Sequence, residues 1–281
     1  TATGSGGTAY AAGTGTLTTT SDITLYAKWS AASFVVTYDP ANSSSTSTET
    51  KMYGSSFTLP VAPTKVGNNF LGWELTVNSV ANTYAPGSTF TMGSSAITFT
   101  AKWTGIYYAV TYALNGGAGT APTQANVASG GSFTTAAAPT KSGFTFAGWS
   151  DGATTTNAAT SITNVSGNIT LTAQWTIAAP GIPGAPTATP GNGSATITIA
   201  APTTGGTPSS YTVTASPGGA TCTVTAPGTS CTIAPLDNGT AYTFTSTATN
   251  TAGSSASGST ASAAITPAGV PLSPSSITGT G

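Results

Sequence analysis

Short runs of alternating apolar and polar residues recur along the chain and predict β-strands throughout. The clearest run is ITFTAKW at 97–103, in which every second residue is apolar or aromatic. A period of two is that of a strand with one buried and one exposed face. ITLTAQW at 169–175 repeats the same face. The pattern therefore predicts half-buried strands and a chain that is mostly β.

Three twenty-residue segments align with one another without a gap. They are YAAGTGTLTTTSDITLYAKW at 10–29, YAPGSTFTMGSSAITFTAKW at 84–103 and TNAATSITNVSGNITLTAQW at 156–175. Upstream, FVVTYDP at 34–40 matches YAVTYALNGG at 108–117, and APTKVGNNFLGW at 62–73 matches APTKSGFTFAGW at 138–149. Such repetition indicates tandem structural units. We therefore place whole repeat domains at 30–103 and 104–175, and interpret 1–29 as the C-terminal third of a further unit.

These motifs resemble those of the Listeria–Bacteroides repeat, the module also found as the B repeat of internalin-like surface proteins. The resemblance is carried by an opening V-T-Y strand, P-T-K-x-G, F-x-G-W and a closing L-x-A-x-W. It covers about residues 1–175 and implies a compact β-grasp-like unit in extracellular bacterial proteins. Asn68 departs from the pattern, because an aromatic residue such as Phe144 is usual there. We expect looser packing around Asn68.

The tryptophans of the repeats are candidate core residues, because each has a fixed place in the repeated pattern. They are Trp29, Trp73, Trp103, Trp149 and Trp175. Trp73 and Trp149 each follow a glycine, which leaves room for close approach. Stacking of these rings on a carbohydrate is the alternative. We favour the core interpretation because large aromatic side chains are buried on average.

Residues 186–267 resemble a fibronectin type III domain. The motif Leu-x-x-Gly-x-x-Tyr, with its tyrosine at Tyr242, matches the turn in which this residue forms a tyrosine corner. The usual core tryptophan of the second strand is absent, and we expect Ile197 or Ile199 to fill that space. A proline-containing linker at 176–185 precedes the domain, and a Pro/Ser-rich tail follows at 268–281.

The fold class expected from these patterns is mostly β. It consists of tandem β-grasp-like repeat domains followed by a fibronectin type III/Ig-like β-sandwich. Because each small domain of such a series contacts chiefly its neighbours, we expect an extended rod.

The chain is nearly uncharged, which excludes several kinds of partner. Charged residues make up 4% of it, and its net charge is −1. Binding of nucleic acid needs clustered lysine and arginine, and anionic lipid attracts the same residues. No apolar run approaches the ~18 residues that span a bilayer. We therefore expect no nucleic-acid partner and no membrane insertion in this segment.

The two cysteines, Cys222 and Cys231, both lie in the C-terminal domain. The Pro227-Gly228 turn between them predicts that two strands bring them opposite each other as a cross-strand pair. In a secreted protein an even cysteine count at short range favours a disulfide. A redox C-x-x-C motif is absent, and two thiols without any histidine are too few ligands for zinc.

The titratable residues give no candidate active site. The chain has no histidine, which excludes the Ser-His-Asp and Cys-His arrangements. Its six carboxylates are scattered and do not recur at equivalent repeat positions. We expect no enzyme activity, no cofactor and no metal. A crosslink between asparagine and Lys51, Lys65 or Lys102 is the one covalent alternative left open.

The function that these features favour is structural. We expect an extracellular, cell-surface segment that acts as a stalk, a spacer or a filament subunit. Its expected partners are copies of itself or adjacent modules of the same surface protein. Two alternatives stay open, an adhesin that binds host or carbohydrate, and accessory modules of a larger secreted hydrolase.

Residues 1–29 bear most directly on assembly. Leu17, Ile23, Leu25 and Trp29 form the apolar face of a closing strand without the opening strand of their own unit. Native proteins avoid such open edges. We expect an upstream continuation of the chain, a packing partner within the chain, or strands supplied by a neighbouring subunit. The last would give head-to-tail polymers, with the tail at 269–281 as one donor.

Overall fold

The computed structural model describes residues 13, 16, 18 and 20–269, and no helix occurs among them. The prediction of an all-β chain of tandem domains is confirmed. The chain groups into two compact units. The first holds the first repeat apart from Val66–Asn69, and the second holds these four residues, the second repeat and the C-terminal domain. In the described part of the chain, no helix is long and apolar enough to cross a membrane.

The first repeat is built from seven strands. They are β1 (Ser33–Asp39), β2 (Ser47–Met52), β3 (Ser56–Thr58), β4 (Asn68–Val77), β5 (Val80–Tyr84), β6 (Thr89–Thr91) and β7 (Ile97–Gly105). Five of them form one sheet in the order β2-β1-β7-β4-β5, and β3 pairs with β6. The opening strand β1 and the closing strand β7 are parallel neighbours, with Val36 opposite Ile97 and Tyr38 opposite Phe99.

The core of the first repeat lies on one face of this sheet. Alternation in β7 buries Phe99 and Ala101 and leaves Thr98 and Thr100 exposed, as the period of two predicts. The other buried apolar residues are Val36, Tyr38, Phe57, Leu59, Trp73, Leu75 and Met92. Strands from both ends of the repeat therefore share a single core.

The second repeat follows the same plan. Its strands are β8 (Tyr107–Tyr108), β9 (Val110–Ala113), β10 (Val127–Ala128), β11 (Phe133–Thr134), β12 (Phe144–Ser150), β13 (Thr155–Thr156), β14 (Ser161–Ile162) and β15 (Ile169–Ile177). The main sheet has the order β13-β12-β15-β9. The opening strand β9 is again parallel to the closing strand β15, with Val110 opposite Ile169 and Tyr112 opposite Leu171.

The glycine of each F-x-G-W motif allows two strands to approach closely. Gly72 and Gly148 have φ angles of 147° and 142°, which residues other than glycine rarely adopt. A Cβ at Gly72 would lie 2.5 Å from a methyl carbon of Thr83. In the second repeat the pairing of β12 with β15 shifts register between Phe146 and Gly148. This bulge turns the following tryptophan toward the core.

The C-terminal domain is a sandwich of two antiparallel sheets. Its strands are β16 (Gly184–Gly191), β17 (Ser194–Ala200), β18 (Ser210–Ser216), β19 (Thr221–Thr225), β20 (Ser230–Ile233), β21 (Thr243–Asn250) and β22 (Gly253–Ser254). One sheet has the order β16-β17-β20 and the other β19-β18-β21-β22. Ile197 and Ile199 are both buried in the core between the sheets. This is the fibronectin type III/Ig-like architecture expected from the sequence.

Residues 255–265 follow β22 and form an irregular edge beside β21. Ser255, Ser259 and Ser262 each donate a backbone N–H to a β21 carbonyl. Each also accepts a β21 N–H at its hydroxyl oxygen, at 3.3, 2.9 and 3.0 Å respectively. The partners on β21 are two residues apart, whereas the serines are three or four apart. Side-chain oxygens therefore complete the ladder where backbone carbonyls would otherwise be needed.

The stretch predicted as a linker at 176–185 is held by backbone hydrogen bonds. Its first residues extend β15 to Ile177, and β16 begins at Gly184. Between them the N–H of Ala178 donates to the carbonyl of Gly143 at 3.0 Å. The N–H of Gly181 donates to the carbonyl of Thr204 at 2.9 Å. This stretch is thus tied to the second repeat at one end and to the sandwich at the other.

Candidate functional site

The tryptophan that ends each closing strand makes the same hydrogen bond in both repeats. The indole N–H of Trp103 donates to the carbonyl of Pro40 at 3.0 Å. In the second repeat, Trp175 donates to the carbonyl of Leu114 at 3.1 Å. Both acceptors lie directly after the opening strand. The last residue of the L-x-A-x-W motif therefore joins the end of the closing strand to the end of the opening strand.

The lysine of each P-T-K motif binds next to this tryptophan. Lys65 donates to the carbonyl of Ala41 at 3.1 Å, and its Nζ lies 5.9 Å from the centre of a Trp103 ring. Lys141 donates to the carbonyl of Asn115 at 3.0 Å and lies 5.6 Å from a Trp175 ring centre. An ammonium group near an aromatic face is attracted by the ring quadrupole. The two motifs thus form one contact, which we call the lysine–tryptophan latch.

The tryptophan of each F-x-G-W motif is buried. Trp73 is 3% exposed and Trp149 is 0% exposed. Their indole N–H groups donate to the carbonyls of Pro60 and Ala136, at 3.0 and 2.9 Å. Neither ring face is open to solvent, so neither ring can stack on a sugar while the repeat is folded. These two side chains therefore serve the core.

A phenylalanine joins the two tryptophans within each repeat. Phe70 makes edge-on contacts with Trp73 and Trp103, with ring centres 5.6 and 5.4 Å apart. Phe146 makes the equivalent contacts with Trp149 and Trp175, at 5.3 and 5.6 Å. Edge-to-face pairs are favourable beyond the area that they bury.

Asn68 replaces an aromatic ring outside this cluster. Its counterpart Phe144 is 40% exposed and lies under the ammonium of Lys141, 4.6 Å from the ring centre. The looser packing expected around Asn68 therefore concerns contacts outside the aromatic cluster of the core. The position is at the surface, and what the first repeat lacks is the ring below its P-T-K lysine.

Trp29 is not a core residue in this structure, contrary to the prediction. Its side chain is 89% exposed, and Leu25 and Tyr26 are 69% and 76% exposed. Residues 22–32 form no strand. A closing strand is buried by its opening strand and its F-x-G-W strand, and no described residues supply these strands to Trp29. Leu17 lies outside the described residues.

The cysteines form a disulfide that joins the two sheets of the sandwich. Cys222 lies on β19 and Cys231 on β20, and their Cα atoms are 6.3 Å apart. The predicted pairing of these strands within one sheet is wrong. β19 pairs with β18, whereas β20 pairs with β17 in the other sheet. The chain crosses between the two sheets at the Pro227-Gly228 turn.

Tyr242 forms the expected corner contact. Its hydroxyl accepts a hydrogen bond from the backbone N–H of Asp237 at 3.1 Å, and its ring is 6% exposed. Its backbone also pairs with Ile265 through two hydrogen bonds of 2.8 and 2.9 Å. Tyr242 therefore fixes the connection that enters β21.

The carboxylates whose contacts the structure gives serve local structure. Glu49 accepts hydrogen bonds from Lys51 and from the Tyr38 hydroxyl, at 2.8 and 2.7 Å. Burial raises the pKa of Glu49, but these two hydrogen bonds and the charge of Lys51 outweigh it and leave the pKa below its ordinary value. Burial and the contact with Glu49 raise the pKa of Tyr38.

The other carboxylates with partners lie at an ion pair and at turns. Glu74 pairs with Lys102 at 2.5 Å. Asp39 accepts the N–H of Ala41 at 2.8 Å. Asp151 accepts the N–H groups of Thr154 and Ala153, which lower its pKa. Among the described residues, no three His, Cys, Asp or Glu side chains cluster as metal ligands would.

The first repeat has an open groove of about 500 Å³ between the end of β4 and the start of β7. Its walls include Thr76, Asn78, Ser95 and Thr98. Glu74 is its charged residue, and this carboxylate is already paired with Lys102. The groove thus offers hydroxyl groups and backbone but no unpaired charge.

Comparison with curated proteins finds relatives among bacterial membrane proteins. A protein of Evansella cellulosilytica with the provisional name membrane protein is 37% identical over 161 residues. A second protein of the same organism, with the provisional name Gly-rich membrane protein, is 35% identical over 162 residues. The alignments cover 57% and 56% of this chain but only 24% and 18% of those proteins. The chain therefore spans a quarter or less of the relatives it matches.

Solved structures with some likeness to the chain are modular proteins. The match to a fragment with domains A168–A170 of titin covers 71% of this chain and 84% of the fragment, at 12% identity and a TM-score of 0.31. The match to domains FN1–FN3 of chicken CNTN1 covers 64% of this chain and 73% of that fragment, at 10% identity and a TM-score of 0.30. The sandwich is assigned from its own sheets and corner tyrosine.

The sequence model of one family matches both repeats. The matched segments are residues 34–102 and 108–174. The first begins within the opening strand β1 and the second just before the opening strand β9, and they end next to Trp103 and Trp175. They therefore coincide with the two parallel-paired units. The chain thus carries two tandem matches to the Listeria-Bacteroides repeat domain.

Proposed function

We propose that this chain is a structural segment, a stalk or spacer, of a bacterial cell-surface protein. The proposal rests on one observation: the side chains of the repeat motifs point into their own repeat. The P-T-K lysine, the F-x-G-W tryptophan and the closing tryptophan all contact atoms of their own repeat. The same holds for the second repeat. The recurring residues thus maintain a fold and leave no recurring group for a ligand.

An extracellular location agrees with the chemistry of the chain. The disulfide Cys222–Cys231 suits an oxidising compartment. Thr and Ser supply most of the polarity of the chain, and only 4% of its residues are charged. The stability of the protein should therefore depend little on salt, because few ion pairs contribute to it. The relatives are named as membrane proteins, and this chain corresponds to a small part of each. We place the segment outside the cell, between an anchor and a distal part of the protein.

Replacement of one repeat within the natural protein tests this function. Residues 30–103 are exchanged for an unrelated β domain of similar length, or deleted. If the repeat is a spacer, its exchange leaves surface display and the activity of the distal part of the protein unchanged. Its deletion shortens the distance between a distal epitope and the cell, which electron microscopy measures. Loss of adhesion after exchange, with display unchanged, would instead identify the repeat as an adhesin.

A filament subunit is the second candidate, and the exposed N-terminal segment favours it. Ile23, Leu25, Tyr26 and Trp29 are each at least half exposed, although their pattern is that of a buried closing strand. Strands supplied by a neighbouring copy would bury them. The proposed donor tail lies outside the described residues from position 270 on. Deletion of 1–29 should abolish polymers and leave folded monomers. Normal filaments from the deleted protein, seen by electron microscopy, would exclude this assembly.

A further inference from the structure

The first and last strands of each repeat are direct neighbours and run in the same direction. In the first repeat the paired residues run from Val36 opposite Ile97 to Asp39 opposite Thr100. In the second they run from Val110 opposite Ile169 to Ala113 opposite Thr172. We call each of these two pairings the parallel seam. The seam joins the point where the chain enters a repeat to the point where it leaves.

Tension along the chain loads this seam in one particular way. It pulls the opening strand from its start and the closing strand from its end. Because the strands are parallel, these two forces slide the strands past each other in opposite directions along their length. All hydrogen bonds of the seam then bear the load together, since evenly spaced parallel bonds lie across the direction of sliding. A hairpin pulled apart from its open end would instead lose its bonds one after another.

Side chains lengthen the seam beyond its backbone ladder. In the second repeat, the N–H of Ala109 donates to the side-chain oxygen of Asn168 at 2.9 Å, next to the first pair. At the other end, the side-chain amide of Asn115 donates to the carbonyl of Ala173 at 3.1 Å. The closing tryptophan crosses the same end in both repeats, from Trp103 to Pro40 and from Trp175 to Leu114.

The lysine–tryptophan latch lies at this far end as well. Lys65 and Lys141 reach the carbonyls of Ala41 and Asn115, in each case the second residue after the opening strand. Two of the motifs that define the repeat therefore meet at the end of the seam where the closing strand is pulled. Apolar residues on both seam strands, Val36 and Phe99 in the first repeat, are 0% exposed, so sliding also opens the core.

We propose that each repeat is a tension-bearing module whose parallel seam, closed by the lysine–tryptophan latch, is the element that breaks under load. The proposal rests on the structural function proposed above. It adds that the segment resists pulling, and that this resistance comes from the seam rather than from the overall stability of the repeat.

Single-molecule pulling of the full chain in two directions tests the seam. Handles on Ala32→Cys and Thr104→Cys, both exposed, load the first repeat along the seam. Handles on Ala32→Cys and Asn82→Cys load the same repeat across its sheet, because Asn82 lies on the edge strand β5. The Cys222–Cys231 pair is bonded and does not take up handles. The expected unfolding force along the seam is at least about twice that across the sheet, because the four residue pairs of the seam share the load. Equal forces in both directions would overturn the proposal.

Two matched core variants separate the seam from general stability. Val36→Ala truncates a buried residue on the seam, and Met92→Ala truncates one outside it, after β6. Both should weaken the repeat at equilibrium. With the Ala32 and Thr104 handles, Val36→Ala should lower the unfolding force, while Met92→Ala should leave it near the parent value, because Met92 lies on neither seam strand. The opposite order would show that another element carries the load. Because replacement of the repeat tests the spacer function separately, a failed seam leaves that function standing.

Discussion

The indole nitrogen of Trp103 and the carbonyl oxygen of Pro40 lie 3.0 Å apart although 63 residues separate them in the chain. One of the most recognisable residues of the repeat thus closes the fold between its two ends. Trp175 and Leu114 repeat the contact at 3.1 Å. Its energetic value can be measured by removing the N–H while keeping an aromatic ring.

Trp103→Phe should destabilise the first repeat by about 1–3 kcal/mol, through the lost hydrogen bond and the smaller ring. Urea unfolding followed by hydrogen exchange resolves this repeat from the other domains. Trp29→Phe is the control, because Trp29 is 89% exposed, and it should change little. If both variants behave alike, the indole contact does not contribute to stability.

Trp73→Ala should cost about 3–5 kcal/mol, the usual range for removal of a large buried aromatic side chain. The side chain is 3% exposed and donates to the Pro60 carbonyl. Protection of amides in β4 and β7 from hydrogen exchange should collapse, while the sandwich keeps its protection. A loss of less than about 1 kcal/mol would mean that the ring is solvent-exposed in solution and available for a ligand.

Reduction of the Cys222–Cys231 disulfide, or its replacement by two serines, should destabilise only the sandwich. The bond closes a short loop, since the cysteines are nine positions apart in the chain, and such loops contribute about 2–3 kcal/mol on the chain-entropy estimate. Thiol labelling of the unreduced native protein should find no free cysteine. Calorimetry should show one transition lowered and those of the repeats unchanged; a shift in all transitions would contradict this.

Ser259→Ala should destabilise the sandwich by about 1–3 kcal/mol, because the buried N–H of Ser246 loses its acceptor. Ser246→Ala is the matched variant. The Ser246 hydroxyl is buried and has no hydrogen-bond partner among the described residues. Its removal should be neutral or slightly stabilising. In chemical denaturation, the unfolding midpoint of Ser259→Ala should lie below that of the parent protein. The midpoint of Ser246→Ala should lie at or slightly above that of the parent.

Acid should weaken the first repeat through Glu49. The folded state holds the pKa of Glu49 below its ordinary value, so its contribution to stability is present above that ordinary value. The contribution is lost as the pH falls through the lowered pKa. Glu49→Gln should flatten this acid dependence. In the second repeat the equivalent tyrosine, Tyr112, accepts the backbone N–H of Ala136 instead, so that repeat serves as an internal reference.

Much of the fold could be predicted because its signals are local and repeated. Alternation fixed which residues of 97–103 face the core, and the glycine before Trp73 indicated a close approach of strands. The pairing of β1 with β7 involves residues about 60 positions apart, and no local pattern specifies such a pairing. The latch was missed for the same reason, since P-T-K by itself is typical of a turn.

Two predictions failed where the sequence gives a residue type but not its surroundings. The spacing of Cys222 and Cys231 suits a hairpin, yet the intervening turn passes between two sheets. Trp29 carries the closing motif, but burial depends on strands that the described residues do not provide. The edge made by Ser255, Ser259 and Ser262 resembles a flexible Ser/Gly-rich stretch by composition, because nothing in the sequence shows which hydroxyls replace backbone acceptors.

That serine-bonded edge also bears on aggregation. Modules held at high local concentration risk cross-β growth, in which one exposed strand templates the next copy. Growth needs acceptors at a regular two-residue spacing. Along 255–265 the hydroxyls of Ser255, Ser259 and Ser262 already occupy the carbonyls of Ser257, Thr260 and Ala263. An incoming strand therefore meets an irregular row of acceptors, and we expect this edge to template cross-β growth poorly.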